Sequence, residues 1–206
     1  MAELAKRFGI ELAEVIEIRP RYNLAPSDPA PTIIIENGKK RLHMMKWGIT
    51  RQWGKDKPPV FVINLRAEKL ATGPFKNLLV KNRCLVAADG FYEWKAEGKK
   101  KFPFRFTMKD DSLFAMPAIY EEHPSRAFCI FTVEANPLVA PVHHRMPAIL
   151  PPNLEDAWLD PKLTDITKVV SLLQPYPKDK MKSWAVTTLL NSAKYDDPDL
   201  IRPLKA

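Results

Sequence analysis

The segment TIIIENGKKRLHMM, at residues 32–45, carries the strongest local indication of how this chain folds. Two strand-like runs, at 32–36 and 39–45, flank the dipeptide Asn37-Gly38. Asparagine and glycine adopt a positive φ more readily than other residues, so this pair is a preferred centre of a two-residue hairpin turn. We therefore predict an antiparallel β-hairpin over residues 32–45.

Similar apolar runs continue on both sides of this hairpin. They predict further strands at 60–64, 84–88, 91–95, 103–108, 113–120, 127–133, 145–150 and 183–190. Helical spacing predicts helices at 2–8, 67–71, 154–159 and 163–173, the third of them capped by Asn153. No internal repeat or shift in composition marks a boundary. The pattern predicts an α+β fold, with residues 1–206 forming one domain around a curved, mostly antiparallel sheet.

The chain is basic, with 32 Lys and Arg against 24 Asp and Glu and a formal net charge of +8. This balance favours an anionic partner, and nucleic acid is the first candidate. No apolar run approaches the length of a membrane span, and the N-terminal residues lack a signal-peptide core. We expect a cytoplasmic, nucleoid-associated protein with no membrane partner and no obligate protein partner.

Cysteine and histidine are few, with two of the first and four of the second. Cys84 and Cys129 lie inside apolar runs and are expected to be buried thiols. The Cys and His residues show no metal-ligand spacing, so neither a metal nor another cofactor is expected.

Glu93 is the first candidate for catalysis. It lies in the segment DGFYEW, at residues 89–94, between Tyr92 and Trp94. A carboxyl group that aromatic side chains remove from water has a raised pKa, which suits a general acid near neutral pH. The alternative is an outward-facing strand residue beside the lysine run at 99–101.

The segment VHHRMP, at residues 142–147, supplies the second group of candidates. His143 and His144 offer imidazoles for proton transfer, although an isolated histidine is more often structural. Arg145 follows directly, and a guanidinium can bind phosphate in a bidentate manner. A proton-transfer group next to a phosphate-binding group fits chemistry on an anionic substrate.

Three loop or strand-end segments add further candidates. Asn64 and Arg66 end an apolar strand and could bind a sugar and a phosphate; the alternative is an ordinary cap and an ion pair with Glu68. Asn23 lies in a polar loop, where it could instead pin the backbone. Trp53 lies among cationic residues, which suits stacking on unpaired bases, although a tryptophan can equally anchor a core.

Together these segments resemble the SRAP family, the SOS-response-associated peptidases. The resemblance covers the chain from about residue 20 onward and rests on landmarks in the expected order: RYNLAPS (21–27), WGI (47–49), NLRAE (64–68), RCLVAADGFYEW (83–94), AN (135–136) and VHHRMPAIL (142–150). It implies a strongly curved, barrel-like sheet with short flanking helices. It also implies binding of single-stranded DNA with abasic sites and covalent capture of the lesion.

In this family a cysteine at the mature N-terminus attacks the abasic-site aldehyde and forms a thiazolidine crosslink between protein and DNA. The resemblance assigns catalysis to three residues and DNA binding to five. The catalytic residues are Glu93, His143 and Asn64; the DNA-binding residues are Arg66, Arg145, Trp53, Trp94 and Asn23. Peptidase, hydrolase and lyase activities are associated with the family through self-processing and DNA repair in the SOS response.

The beginning of the chain departs from this pattern. The family pattern begins Met-Cys-Gly-Arg, whereas this sequence begins Met-Ala-Glu-Leu. A start assigned too late, a truncated chain and a natural member without the nucleophile are three explanations, of which the first two are favoured because the other site residues remain. Neither Cys84 nor Cys129 is expected to substitute. As given, the chain is expected not to form the thiazolidine. The alternative function is a noncatalytic module that binds single-stranded DNA and shields lesions.

Overall fold

The computed structural model describes residues 2–10, 18–70 and 72–204. In these ranges the strands are β1 (Pro29–Glu36), β2 (Lys39–Trp47), β3 (Ile49–Arg51), β4 (Val60–Val62), β5 (Asn64–Arg66), β6 (Arg83–Ala88), β7 (Phe91–Glu97), β8 (Lys100–Met108), β9 (Phe114–Glu121), β10 (Ala127–Glu134), β11 (Arg145–Pro147) and β12 (Met181–Ala185). The α-helices are α1 (Ala2–Phe8), α2 (Lys76–Lys81), α3 (Pro152–Leu159) and α4 (Ile166–Ser171).

The hairpin predicted from the Asn37-Gly38 dipeptide joins β1 to β2. Both turn residues have a positive φ, 51° at Asn37 and 75° at Gly38, as the tight hairpin turn requires. The strands pair antiparallel from Glu36 opposite Lys39 to Pro29 opposite Lys46. The prediction is therefore confirmed, and each strand is longer than its apolar run.

Five strands close into a ring in the order β10-β2-β1-β6-β9, with β9 pairing back to β10. Four of these pairings are antiparallel, and the β2–β10 pairing is parallel. Closing a twisted sheet in this way leaves few unpaired edges and surrounds an apolar interior. The predicted α+β fold with a strongly curved, mostly antiparallel sheet is confirmed.

Strand β10 also organises the surface beyond the ring. Its C-terminal half pairs with β5 in parallel on one side and with β11 antiparallel on the other. Thr132 of β10 lies opposite Arg66 of β5 and opposite Pro147 of β11. The segments 64–68 and 142–147, almost eighty residues apart in sequence, therefore lie on the two sides of one strand.

A second sheet, in the order β12-β8-β7, has two different faces. On one face Phe91 stacks on Phe106 with ring centroids 5.1 Å apart, and both rings belong to the main core. On the other face Tyr92 and Trp94 pack against a small cluster of Val186, Leu190 and Leu200. Successive residues of a strand point to opposite faces, so β7 sends Glu93 to the side of Phe91 and away from Tyr92 and Trp94.

Several boundaries differ from the sequence-based expectation. Helix α3 begins at Pro152 after Pro151, so Asn153 lies inside the helix and does not cap it, because proline presets the first helical φ. The strand predicted at 183–190 ends at Ala185, and a 3-10 turn follows at Thr188–Asn191, where the Thr187 hydroxyl accepts from the Leu189 amide. Strand β3 and helix α2 were not predicted.

Two other helices are shorter than predicted. The helix expected at 67–71 is a 3-10 turn at Ala67–Lys69, and residue 71 lies outside the described ranges. Helix α4 begins after Asp165, whose carboxylate accepts from the amides of Thr167 and Lys168. Within the described residues, no helix is long and apolar enough to cross a membrane.

Candidate functional site

Glu93 and His143 form the centre of the candidate site. Glu93 lies in the middle of β7, and His143 lies in the loop that enters β11. The Glu93 Oε2 atom is 3.4 Å from the His143 Nδ1 atom. The side chain of Glu93 is 20% exposed and that of His143 is 37% exposed, so both members of the pair are partly accessible to solvent.

The surroundings of Glu93 disfavour its ionised form. Phe104 is its cross-strand partner on β8, and Phe91 precedes it by two residues on the same face. Burial raises the pKa of Glu93 to about 7, although the nearby His143 and a backbone hydrogen bond at Trp94 act in the lowering direction. A carboxyl group with this pKa is partly protonated at neutral pH and can donate or accept a proton there.

The raised pKa agrees with the sequence argument, and Phe91, which that argument also includes, lies on the same face of β7 as Glu93. Tyr92 and Trp94, its neighbours in sequence, lie on the other face of β7. The Tyr92 hydroxyl donates to the Tyr22 carbonyl at 2.6 Å, and the Trp94 indole donates to Asn191 Oδ1 at 2.7 Å. The structure therefore does not place Trp94 beside Glu93.

The His143 ring is oriented by the backbone of Arg145. Its Nδ1 atom lies 3.2 Å from the Arg145 amide nitrogen and 3.0 Å from the Arg145 carbonyl oxygen. The first contact suits an Nδ1 that accepts, and the second an Nδ1 that donates. The His144 ring is a neighbour, with centroids 4.5 Å apart. The Arg145 backbone therefore offers the His143 Nδ1 atom a hydrogen-bond partner in either tautomer.

Arg145 is held from two sides. Its Nη1 and Nη2 atoms donate to the two carboxylate oxygens of Glu68 at 2.8 and 3.1 Å. The Nη2 atom also donates to the carbonyl oxygen of Thr132 at 2.5 Å and lies 3.4 Å from its hydroxyl. Its Nε atom is buried and has no hydrogen-bond partner in the described part of the chain.

Asn64 and Arg66 lie on the exposed face of β5, opposite Ile130 and Thr132 of β10. The alternative expectation paired Arg66 with Glu68, but the carboxylate of Glu68 hydrogen-bonds Arg145 instead. Arg66 acts on Glu68 only through its charge, a minor cause of the lowered pKa of Glu68. Strand pairing therefore brings Asn64, Arg66 and Arg145 to the region around Thr132.

The other two predicted residues lie elsewhere. Asn23 is buried, and its side-chain Nδ2 atom lies within 3.4 Å of the carbonyl oxygens of Leu190, Ser192 and Tyr195. These contacts support the alternative in which Asn23 pins the backbone. Trp53 is 39% exposed and meets Phe75 edge-on at 5.7 Å, so much of its ring remains available for stacking.

The cysteines fit the expectation of buried thiols. Cys84 and Cys129 have no exposed surface, and burial raises the pKa of each thiol. Neither is a suitable nucleophile, because the reactive form is an accessible thiolate. Among the described residues, no three His, Cys, Asp or Glu side chains are grouped as metal ligands.

Sequence reasoning missed two members of this region. The sequence predicts Glu68 only as a possible ion-pair partner of Arg66. Its position in the NLRAE segment is the signal that could have identified it. Thr132 was not singled out, since it lies within an apolar strand. Its contact with Arg145 depends on the pairing of β10 with β11, which is not readable from local sequence.

Comparison with known proteins supports a single family. The family model described as SOS response associated peptidase (SRAP) matches residues 1–193. The abasic site processing protein YoqW of Bacillus subtilis is 41% identical over 194 residues, covering 90% of this chain and 87% of the relative. The abasic site processing protein YedK of Escherichia coli is 30% identical over 193 residues, covering 89% and 85%.

Solved structures show the same fold. A protein of Bacteroides thetaiotaomicron has a TM-score of 0.71 at 27% identity, covering 90% of this chain and 82% of its own. A phage-related protein of Bordetella bronchiseptica has a TM-score of 0.72 at 23% identity, covering 89% of each chain. The second comparison concerns the fold alone.

Proposed function

The chain belongs to the SRAP family, and on this basis we propose that it binds single-stranded DNA and recognises abasic sites. In a form with an N-terminal cysteine, we propose that it captures the abasic site covalently as a thiazolidine. The observation that carries this proposal is the Glu93–His143 pair, 3.4 Å apart, in which Glu93 has a pKa of about 7. The names of the relatives, abasic site processing proteins, support the choice of substrate.

The proposed reaction needs proton transfer at several points. The abasic sugar must open to its aldehyde, and the α-amine then adds to the carbonyl carbon to give a carbinolamine. Loss of water from the carbinolamine gives an imine and requires a general acid, for which protonated Glu93 is suited. The cysteine thiol then adds to the imine carbon, and its proton passes to the nitrogen as the five-membered ring closes.

The DNA contacts are proposed from charge and exposure. Arg66 is exposed on β5, and the mostly buried Arg145 lies beside Thr132, where the two guanidinium groups can bind phosphates that flank the lesion. Asn64, on the same face as Arg66, can hydrogen-bond the sugar or its opened form. Trp53 offers an exposed ring for stacking on an unpaired base. The formal net charge of +8 supports a polyanionic partner.

The second candidate is a noncovalent module that binds and shields lesions in single-stranded DNA. The burial of both Cys84 and Cys129 favours it, because neither thiol in the described structure can reach a substrate. The two candidates share the DNA-binding surface. They differ in whether a nucleophile is supplied at the N-terminus.

The first test concerns the acid. In a chain that begins Cys-Gly-Arg at its mature N-terminus, we expect Glu93→Gln to slow crosslinking to abasic single-stranded DNA by about 10²–10⁴-fold. The DNA affinity should change little, because glutamine keeps the shape and loses only the titratable proton. The measurement is the single-turnover rate of heat-stable adduct formation at saturating DNA. Glu97→Gln, an exposed position on the same strand, is the matched control. Rates within about twofold of wild type for Glu93→Gln would remove Glu93 from the proposed mechanism.

The second test concerns the nucleophile. A polypeptide that begins Met-Ala-Glu-Leu should form no heat-stable adduct with abasic DNA, whereas one with a Cys-Gly-Arg segment ahead of these residues should form one. Peptide mapping identifies the modified residue. An adduct on Cys84 or Cys129 would contradict the burial argument. DNA binding without an adduct in either form would favour the shielding module.

A further inference from the structure

The carboxylate of Glu68 is bound to the guanidinium of Arg145, which the proposed function needs for binding a phosphate. The carboxylate binds Arg145 through both oxygens, at 2.8 and 3.1 Å. A carboxylate and a phosphate present the same pair of acceptor oxygens to a guanidinium, so only one of them can take this position. Glu68 lies in the 3-10 turn Ala67–Lys69 that follows β5, whose Arg66 adds a second positive charge nearby.

The pair is unequally exposed. The Glu68 side chain is 52% exposed, whereas the Arg145 side chain is only 13% exposed. The hydrogen bond from Arg145 holds the pKa of Glu68 below its usual range, so this carboxylate is ionised at neutral pH. The acid can therefore swing into solvent while the arginine stays in place.

Arg145 has further contacts besides those with Glu68. Its Nη2 atom also donates to the Thr132 carbonyl oxygen, and its backbone is fixed in β11 opposite Glu134. A carboxylate whose function was to orient the guanidinium would be redundant with these contacts. Its remaining effect is electrostatic, namely one negative charge on the surface where DNA phosphates are expected.

We propose that Glu68 is an internal competitor for the phosphate-binding position on Arg145 and lowers the affinity of the protein for single-stranded DNA. A backbone phosphate displaces the carboxylate from Arg145 when DNA binds. Glu68 then remains close to the phosphate and repels it. This inference rests on the proposed DNA binding but requires neither an abasic site nor a covalent step.

The test measures binding of an unmodified 20-nucleotide oligo-dT by fluorescence anisotropy at several salt concentrations. Glu68→Gln should tighten the dissociation constant about 3–10-fold at 0.1 M salt, because one repulsive charge is removed. The slope of log K against log salt should change by less than about 0.7, the contribution of one phosphate contact on a single strand, because a phosphate contacts Arg145 in both proteins. Because Glu68 is largely exposed, the variant is expected to fold.

Glu122→Gln is the matched control. It removes the same charge from another Glu–Arg pair, in which Glu122 lies 2.8 Å from Arg126. This pair lies just before the N-terminal end of β10, whereas Thr132 and Arg145 lie near its C-terminal end. We expect its dissociation constant to stay within about 1.5-fold of wild type, since exposed charges separated by more than a Debye length are largely screened. An equal gain in both variants would show a nonspecific charge effect and overturn the inference.

A double-mutant cycle separates competition from other effects. In an Arg145→Ala background, Glu68→Gln should change the dissociation constant by less than about twofold, because the competed position is absent. Unchanged or weaker binding by the single variant would overturn the inference while leaving DNA binding intact. If wild-type protein shows no salt-dependent binding to the oligonucleotide, both this inference and the proposed function fail.

Discussion

The burial that suits Glu93 to acid catalysis also makes its ionised form unfavourable for the stability of the folded protein. The face of β7 that it shares with Phe91, opposite Phe104 on β8, disfavours a charge, and burial raises the pKa of its carboxyl to about 7. In an unfolded chain the pKa of the same carboxyl is about 4.3. Between these values the folded protein binds more protons, so the free energy of unfolding falls as pH rises through this window.

This linkage predicts how Glu93→Gln changes stability with pH. Near pH 4.5 the variant and wild type should have similar free energies of unfolding, because the wild-type carboxyl is protonated in the folded state. At pH 8 the variant should be more stable by about 1–3 kcal/mol, since it carries no buried charge. Urea denaturation at the two pH values measures the difference. Glu97→Gln serves as the control, and a gain of equal size at both pH values would contradict the argument.

At the scale of elements, a buried arginine joins two helices to the barrel. Arg83 begins β6 and is 6% exposed. Its guanidinium donates to the carbonyl oxygens of four residues near the C-terminal ends of α2 and α3: Leu79, Val80, Trp158 and Asp160. Carbonyl groups at a helix end have no partner within the helix, and their partial negative charge favours a cation.

Arg83→Met is therefore expected to reduce the free energy of unfolding by about 2–4 kcal/mol, because buried carbonyl groups lose their donors. Urea denaturation measures the loss. Arg126→Met is the matched control: its guanidinium pairs with the partly exposed acids Glu36 and Glu122, and its loss should cost less than about 1 kcal/mol. Equal losses in the two variants would show that the helix-end contacts contribute no more than a surface ion pair.

At the scale of the whole molecule, strand β10 connects fold and site. It closes the barrel through β2 and β9 and carries β5 and β11 on its two sides. The proposed DNA-binding residues Arg66 and Arg145 are thereby held on a rigid sheet. Because both residues lie on paired strands, the proposed DNA binding would not require them to become ordered first.

The corresponding prediction concerns single-stranded DNA. Wild-type protein should bind a 20-nucleotide oligonucleotide more tightly than the matching duplex, and its affinity should fall as salt increases. Arg145→Ala should weaken binding on all sequences alike and reduce the salt slope by about 0.7. Anisotropy titrations in parallel measure both quantities. Between about 50 and 200 mM salt, binding that releases condensed counterions loses much of its affinity. An affinity that does not change over this range would contradict the electrostatic basis of binding.

Several features could be predicted from the sequence because they depend only on neighbouring residues. The Asn37-Gly38 turn was predictable because few residue pairs accept two successive positive φ angles. The burial of Cys84 and Cys129 followed from the apolar runs around them. The Glu93 and His143 segments could be recognised as site candidates because their residue types are chemically unusual in combination. Each of these inferences depends on neighbours along the chain.

The contacts within the site depend on register and strand pairing. Only the pairing of β10 with β5 and β11 brings Glu68 and Thr132 to Arg145, and Glu68 is 77 residues from Arg145 in sequence. Only the alternation of β7 places Trp94 away from Glu93, although the two are adjacent in sequence. The amino-acid sequence alone establishes which groups are available and where the chain turns. Which of these groups come into contact is decided by the tertiary structure, because a shift of one residue in register would exchange the two faces of a strand.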